Sequence, residues 1–452
     1  MSHLNTSLHT ALSALTPPVA GDGEHIDTRS SLYQLASRTE VDNDDKALLD
    51  FISKRFDIAG KLFEQYSSDG KRVGDTQITD PQWLNLATLL FAHHAVNSAS
   101  SGTDTAGRQL KRFNLAFKAL SGDAGSQLPS EVSHEVYSAF ANLLGKVPVQ
   151  ISGSASEPTG RGVQPQTLPL TVLFYEGPIA RAYLETMDSL GLRPARIINL
   201  VSSKDLVTRK PVGKWLPGTL RTALATSSHR QKMHYWPQKL AKDHKGLVQA
   251  IQSALNDSLG ISASTQANAI ALRPLESFSN EVETLLVDGL HDPGLLQRLS
   301  EGQLDPILFT GGGIVPESLL SIEGLPFIHV HPGFLPEVRG ADCTLWSNLV
   351  HGHTSASCFY MALGIDTGDI IKRVWLPHFR LPAAPADIGT RYRLVYGFVD
   401  PWVRCFALRE FLLDHQQFAG LPANPQDAAQ GMDFHFMQER VREVALAVMF
   451  EQ

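Results

Sequence analysis

The stretch from Leu170 to Val201 constrains the fold more than any other part of this 452-residue chain. Leu170-Thr171-Val172-Leu173-Phe174-Tyr175 is an apolar run of strand length. Gly177 and Pro178 are placed to open a helix in which Ile179, Tyr183, Met187 and Leu190 recur at helical spacing, and Gly191 closes it. Ala195–Val201 supplies a second strand. Strand, helix and strand within roughly thirty residues predict a βαβ unit. The expected fold is therefore α/β, a doubly wound and mostly parallel Rossmann-type sheet whose ligand crevice lies beyond the carboxyl ends of its strands. The first turn, Tyr175-Glu176-Gly177-Pro178, is not GxGxxG, so it carries no dinucleotide fingerprint.

Before this unit the pattern is helical. Pro81 to about Val96, with Asp80 as a cap, and Gln109–Leu120, with Leu110, Phe113, Phe117 and Leu120 on one face, predict an all-helical accessory domain over residues 1–150. His93 and His94 point about 100° apart on such a helix and are read as ordinary surface or core residues. Residues 151–169 are rich in Ser, Gly, Pro and Thr and are expected to form a linker. After the α/β region, Asp400-Pro401 reads as a helix start and a last helix is expected from about Asp433 to Phe450, giving a helical C-terminal extension over 376–452.

Bulk properties narrow the function classes. A net charge of −7 disfavours wholesale binding to nucleic acid or to a membrane surface. Cys343, Cys358 and Cys405 make neither a disulfide framework nor a CxxC zinc site, and are expected to be buried thiols in a reducing compartment. Without a signal-like N-terminus or a run of about eighteen apolar residues, the chain is expected to be soluble and cytoplasmic. Basic residues concentrate between Val201 and Gly246, where Lys204, Arg209, Lys210, Lys214, Arg221 and Arg230 face few acids. That region is either an anion-receiving rim or a solvated helical insertion.

Two further strands carry the polar residues. Ile307-Leu308-Phe309-Thr310 runs into Gly311-Gly312-Gly313, where the backbone can turn sharply and approach a ligand. Pro326–His331 is apolar except for His329 and His331, which alternation puts on one strand face. His329-x-His331-Pro332, Leu335-Pro336-x-x-Arg339-Gly340 and Asp366-Thr367-Gly368, preceded by the stretch from Asp305, resemble the 10-formyltetrahydrofolate-dependent formyltransferase family. The resemblance covers roughly 170–375, taken as the formyltransferase-like catalytic domain.

It implies transfer of a formyl group from 10-formyltetrahydrofolate to an amine or hydroxylamine of a small metabolite. When an amine attacks the formyl carbon, an oxyanion develops and the nitrogen must shed a proton, so the enzyme needs donors for the first and a near-neutral base for the second. The resemblance implies His331 as base or shuttle, with Asp366 orienting it. His329 stands where the family has an asparagine that donates to the oxyanion, and an imidazole N–H is expected to take over that role. By the same resemblance, backbone at Gly313, Ile314, Val315, Gly364 and Ile365 holds the pterin. Tyr175, Glu176 and Arg339 are expected at the substrate, a small amine that can carry an anion. A tRNA acceptor is disfavoured, and self-association into a homo-oligomer stays open. Two other readings remain: His329, His331 and Asp366 as metal ligands, with His351 and His353 as a second pair, or a non-catalytic folate-binding protein.

Overall fold

The computed structural model describes Ile151 and residues 165–301, 304–385, 387–415, 418, 421–426, 433–434, 436 and 439–451. The expected N-terminal helices, His93, His94 and nearly all of the expected linker lie outside the described residues.

The first βαβ unit consists of β1 (Gln166–Tyr175), α1 (Pro178–Ser189) and β2 (Leu192–Ser202). Pro178 sits in the first turn of α1, where its missing N–H costs nothing, and Gly191 takes the left-handed φ of 70° that ends the helix. β1 begins at Gln166, four residues before the expected Leu170. The intervening residues pair with Leu192–Pro194, with a register shift between Leu168 and Thr171. The basic region then becomes a loop and helices α2 (Gly218–Met233) and α3 (Tyr235–Asp243), followed by α4 (Lys245–Leu259) and α5 (Ala263–Ala271).

The sheet continues with β3 (Glu281–Val287), then α6 (Pro293–Ser300), β4 (Ile307–Phe309), α7 (Glu317–Leu320) and β5 (Phe327–His331). After β6 (Arg339–Gly340) and α8 (Cys343–His351) come β7 (Ser355–Tyr360), β8 (Ile370–Trp375), α9 (Ile388–Phe398) and α10 (Asp400–Asp414). The seven-stranded sheet has the order β3-β2-β1-β4-β5-β7-β8. β1 to β5 are parallel, while β7 and β8 add an antiparallel edge. The order reverses between β1 and β4, which puts the topological switch point, and with it the ligand crevice, beyond Tyr175 and Gly311.

Both faces of the sheet centre are covered, so β1 reads as a near-continuous apolar run: Leu168, Val172, Leu173 and Phe174 are fully buried. One core cluster joins Leu173, Ile198, Ile307, Phe309, Val315 and Phe327, the residues directly below the crevice. α10 packs against α1, β5, β7 and β8, so the helix starting at Asp400 is part of the sheet's covering layer. The last described helix, α11 (Glu439–Met449), falls mostly in the other compact unit of the chain. Among the described residues no helix is long and apolar enough to cross a membrane. All three cysteines are buried and free, as their spacing suggested.

Candidate functional site

Two histidines occupy β5 because the strand is anchored by Ile328 and Val330, both fully buried on one face, while His329 and His331 share the other face with the buried Phe327. His331 is buried and its two nitrogens are both engaged. Nε2–H donates to the Val338 carbonyl at 3.0 Å, and Nδ1 lies 3.3 Å from Asp366 Oδ2. With a proton already committed at Nε2, the contact with the carboxylate is attractive only if a second proton sits between Nδ1 and Oδ2. A proton placed on Nδ1 would therefore bridge the His331 ring to the Asp366 carboxylate. Burial pushes the His331 ring toward neutrality, and Asp366 opposes that push.

Asp366 reaches this place from the β7–β8 connection in a left-handed conformation, φ 52°, that aspartate tolerates better than most residues. Its Oδ2 also accepts from the Gly340 backbone N–H at 3.1 Å, and its own carbonyl accepts from Gln426 Nε2 at 3.0 Å. The same Gln426 amide reaches the Gly368 carbonyl. Gln426 carries no motif, so the sequence offered no signal for this clamp. Two glycines are required here by close approach. A Cβ on Gly333 would lie 2.6 Å from His331 Nε2 and 2.2 Å from the Val338 oxygen, and one on Gly368 would lie 1.6 Å from the Tyr360 oxygen.

His329 is half-buried, and its Nδ1–H donates to the Phe309 carbonyl at 3.1 Å. Burial is the largest influence on this ring and the Arg404 cation the next, together holding its pKa down to about 4. Near neutral pH the ring is therefore uncharged with its proton on Nδ1, and Nε2 presents a lone pair. That is the tautomer opposite to the one an oxyanion donor needs. Arg404 itself donates from Nη1 to the Val330 carbonyl, between the two histidines, and from Nε to the fully buried Asp400, which also accepts from Thr344. A buried cation is thus fixed behind the histidine strand.

The loops expected to hold the pterin flank this centre. Gly313 (φ 100°) and Gly364 (φ 116°) both adopt left-handed backbone, and beside them Ile314 and Ile365 are 75% and 53% exposed. Val315 differs: its side chain belongs to the core cluster, so only its backbone can serve a ligand. Arg339 is buried in β6, consistent with a loop-fixing place.

Tyr175 and Glu176 lie at the end of β1, beside the crevice. The Tyr175 backbone N–H donates to Thr310 Oγ1, which ties β1 to the glycine loop of β4. Glu176 is not free for substrate. Arg181 grips it with Nε and Nη2 at 2.8 and 2.6 Å, and His234 Nε2 lies 2.9 Å away. Burial alone raises the carboxyl pKa, but these hydrogen bonds override it and hold it down to about 2. Folded below its unfolded value, this group contributes stability that is complete above the ordinary carboxylate range and is lost as pH falls toward about 2. Replacing Glu176 with Leu strands the buried Arg181, and we expect urea denaturation to show a loss of about 3–5 kcal/mol. Unchanged stability would mean that the pair is dispensable.

The metal reading finds no support in this geometry. His331 has both ring nitrogens engaged, by the Val338 carbonyl and by Asp366, which leaves it none for a metal. Among the described residues no group of three or more His, Cys, Asp or Glu is placed to hold an ion.

Against this geometry the comparisons can be set. No family model matches the chain. Methionyl-tRNA formyltransferase of Syntrophus aciditrophicus (strain SB) is 38% identical over 126 residues, 25% of this chain and 40% of that protein. The methionyl-tRNA formyltransferase of Nostoc sp. is 30% identical over 109 residues, 24% of this chain and 31% of its relative. The similarity is to formyltransferases. The chain thus spans two-fifths or less of the length of these relatives. Among solved structures, HypX from Aquifex aeolicus in complex with tetrahydrofolic acid aligns with 37% of this chain and 29% of its own, at 16% identity and TM-score 0.27. Phosphoribosylglycinamide formyltransferase from Streptococcus pneumoniae aligns with 55% of this chain and 98% of its own, at 15% identity and TM-score 0.29. Scores this low carry no weight beyond the record of the match.

Proposed function

We propose that this chain transfers a formyl group from 10-formyltetrahydrofolate to an amine of a small metabolite. The observation that carries the reading is the His331–Asp366 contact, set beside His329 on the same strand face, next to the switch point of the sheet. The sequence similarity to formyltransferases supports it independently.

The tautomers assign the protons. His329 Nε2, with its lone pair outward and its Nδ1–H held by Phe309, relays the proton that the attacking amine sheds; a ring held down to about 4 is too weak a base to keep it, so the proton passes on at once. A proton on His331 Nδ1, beside Asp366, goes to the folate nitrogen as the carbon–nitrogen bond to the formyl group breaks. One proton is taken and one is given, so the site must then pass a proton from His329 back to the pair before the next turnover. Arg404 behind β5 favours this division by keeping His329 neutral. The glycine-bent loops with Ile314 and Ile365 flank the pterin with aliphatic surface and leave backbone groups for its polar edge.

Incubating the purified chain with 10-formyltetrahydrofolate and a panel of small amines, with tetrahydrofolate release and formylated product measured together, tests the reading. Amine-dependent release supports transfer. Release without any amine acceptor indicates hydrolysis, and binding of reduced folate with no turnover indicates a sensor.

A further inference from the structure

The proposed formyl site occupies β4, β5 and the β7–β8 loop, which leaves the other half of the crevice, beyond β1 and β2, without a role. Tyr175 and His229 meet there, with Arg209 and Arg230 in the surrounding basic segment. His229 of α2 packs edge-on against Tyr175, ring centroids 4.6 Å apart. The Ser202 backbone N–H donates to His229 Nδ1 at 3.4 Å, and burial pushes the ring toward its neutral form, so its proton sits on Nε2. That Nε2–H is buried and has no partner among the described residues, on a residue that is only 3% exposed. A buried donor left unpaired is rare and asks for an acceptor.

The charges nearby point to what that acceptor is. Arg209 is exposed, with φ 60°, and lies close enough to the Tyr175 hydroxyl to act on its ionisation. No carboxylate pairs with it among the described residues. The acids of this region are already taken: Asp205 by Lys232, and Asp288 by Lys204 at 3.3 Å. Arg230 is 4.0 Å from Glu176, but that carboxylate is held by Arg181 and His234, so Arg230 adds to the positive field.

We infer that Arg209, Arg230, the Tyr175 hydroxyl and His229 Nε2–H form a subsite for a carboxylate or phosphate group of the acceptor. The inference rests on the proposed transfer reading for the word acceptor, though not for the anion. Strand register sets the size of the molecule. Leu173 pairs with Phe309 and Leu308 with Ile328, so Tyr175 stands level with His331 two strands away, about 10 Å across the sheet. The acceptor is thus an amine with its anionic group on the order of 10 Å from the reacting nitrogen.

The test is a titration of the full chain with inorganic phosphate and, separately, malonate, followed by phosphorus NMR and by the histidine ring nitrogen signals. The same titrations are run on Arg209→Gln and His229→Phe, the second keeping the ring against Tyr175. Binding that shifts the His229 signal and weakens at least tenfold in both variants is the expected result, and the tighter probe tells phosphate from carboxylate. Binding unchanged in both variants, or no binding by the parent to either probe, overturns the subsite. Adding tetrahydrofolate separates the two claims. If phosphate and tetrahydrofolate bind together, the subsite serves the acceptor; if they displace each other, the cations hold the folate's own carboxylates and the inference fails. If the chain does not bind tetrahydrofolate at all, the transfer reading fails while the anion titration still decides the subsite.

Discussion

Replacing His331 with Ala should lower turnover about a hundredfold to ten-thousandfold, the range seen when a positioned acid or base is removed. The ring contributes more than packing. It links the Val338 carbonyl to Asp366, and without it the carboxylate keeps, among the described residues, the Gly340 N–H alone. Asp366→Asn should mimic the loss, because a neutral amide cannot favour a proton on Nδ1 as the carboxylate does. A circular dichroism spectrum matching the parent, with turnover of the true acceptor cut in both variants, is the expected outcome. Near-parental turnover in His331→Ala would remove the ring from the chemistry.

The second large effect concerns His329. Because its Nδ1 proton is spent on Phe309, the ring can only accept at Nε2 near neutral pH, and His329→Asn should lose about a hundredfold, as much as His329→Ala. The pH profile supplies a separate check. With its pKa held down to about 4, the ring stays an acceptor well into the acid range, so once kcat/KM is corrected for protonation of the acceptor amine, the acid limb that belongs to this ring should lie near pH 4. An asparagine variant with most of the parental activity would instead show that position 329 donates to the oxyanion, as in the family it resembles. An acid limb near the ordinary histidine value would show that burial and the Arg404 cation do not govern the ring.

The parts of this fold that could be read from the sequence were those with periodicity. The β1–α1–β2 unit, β4 and β5 announced themselves through apolar runs, broken in β5 by its two histidines, and through a Pro/Gly pair at the helix ends. β3 did not, because as an edge strand it alternates Glu281 and Glu283 with apolar residues and is bounded by weak turn signals. The antiparallel β7 was hidden by Ser355 and Ser357, which are small, polar and nonetheless buried. In the site, residue types were legible and their protonation was not. That His329 faces Phe309 with its proton follows from where β4 ends relative to β5, and Glu176 is bonded by His234, 58 residues further on, through a helix whose sequence read only as basic. Tertiary partners of this kind leave no mark on local spacing.

The Gln426 clamp changes where the chain can be cut. A boundary drawn at 375 on motif content looks harmless, since every residue of the motifs precedes it. Yet Asp366 and Gly368 are held through their carbonyls by an amide that follows α10, and Ile370 exchanges backbone hydrogen bonds with Asn424 beside it. Anyone excising a minimal enzyme, or grafting this half onto another scaffold, would need to carry the polypeptide at least through residue 426, or else supply a replacement lock for the hairpin that delivers the carboxylate.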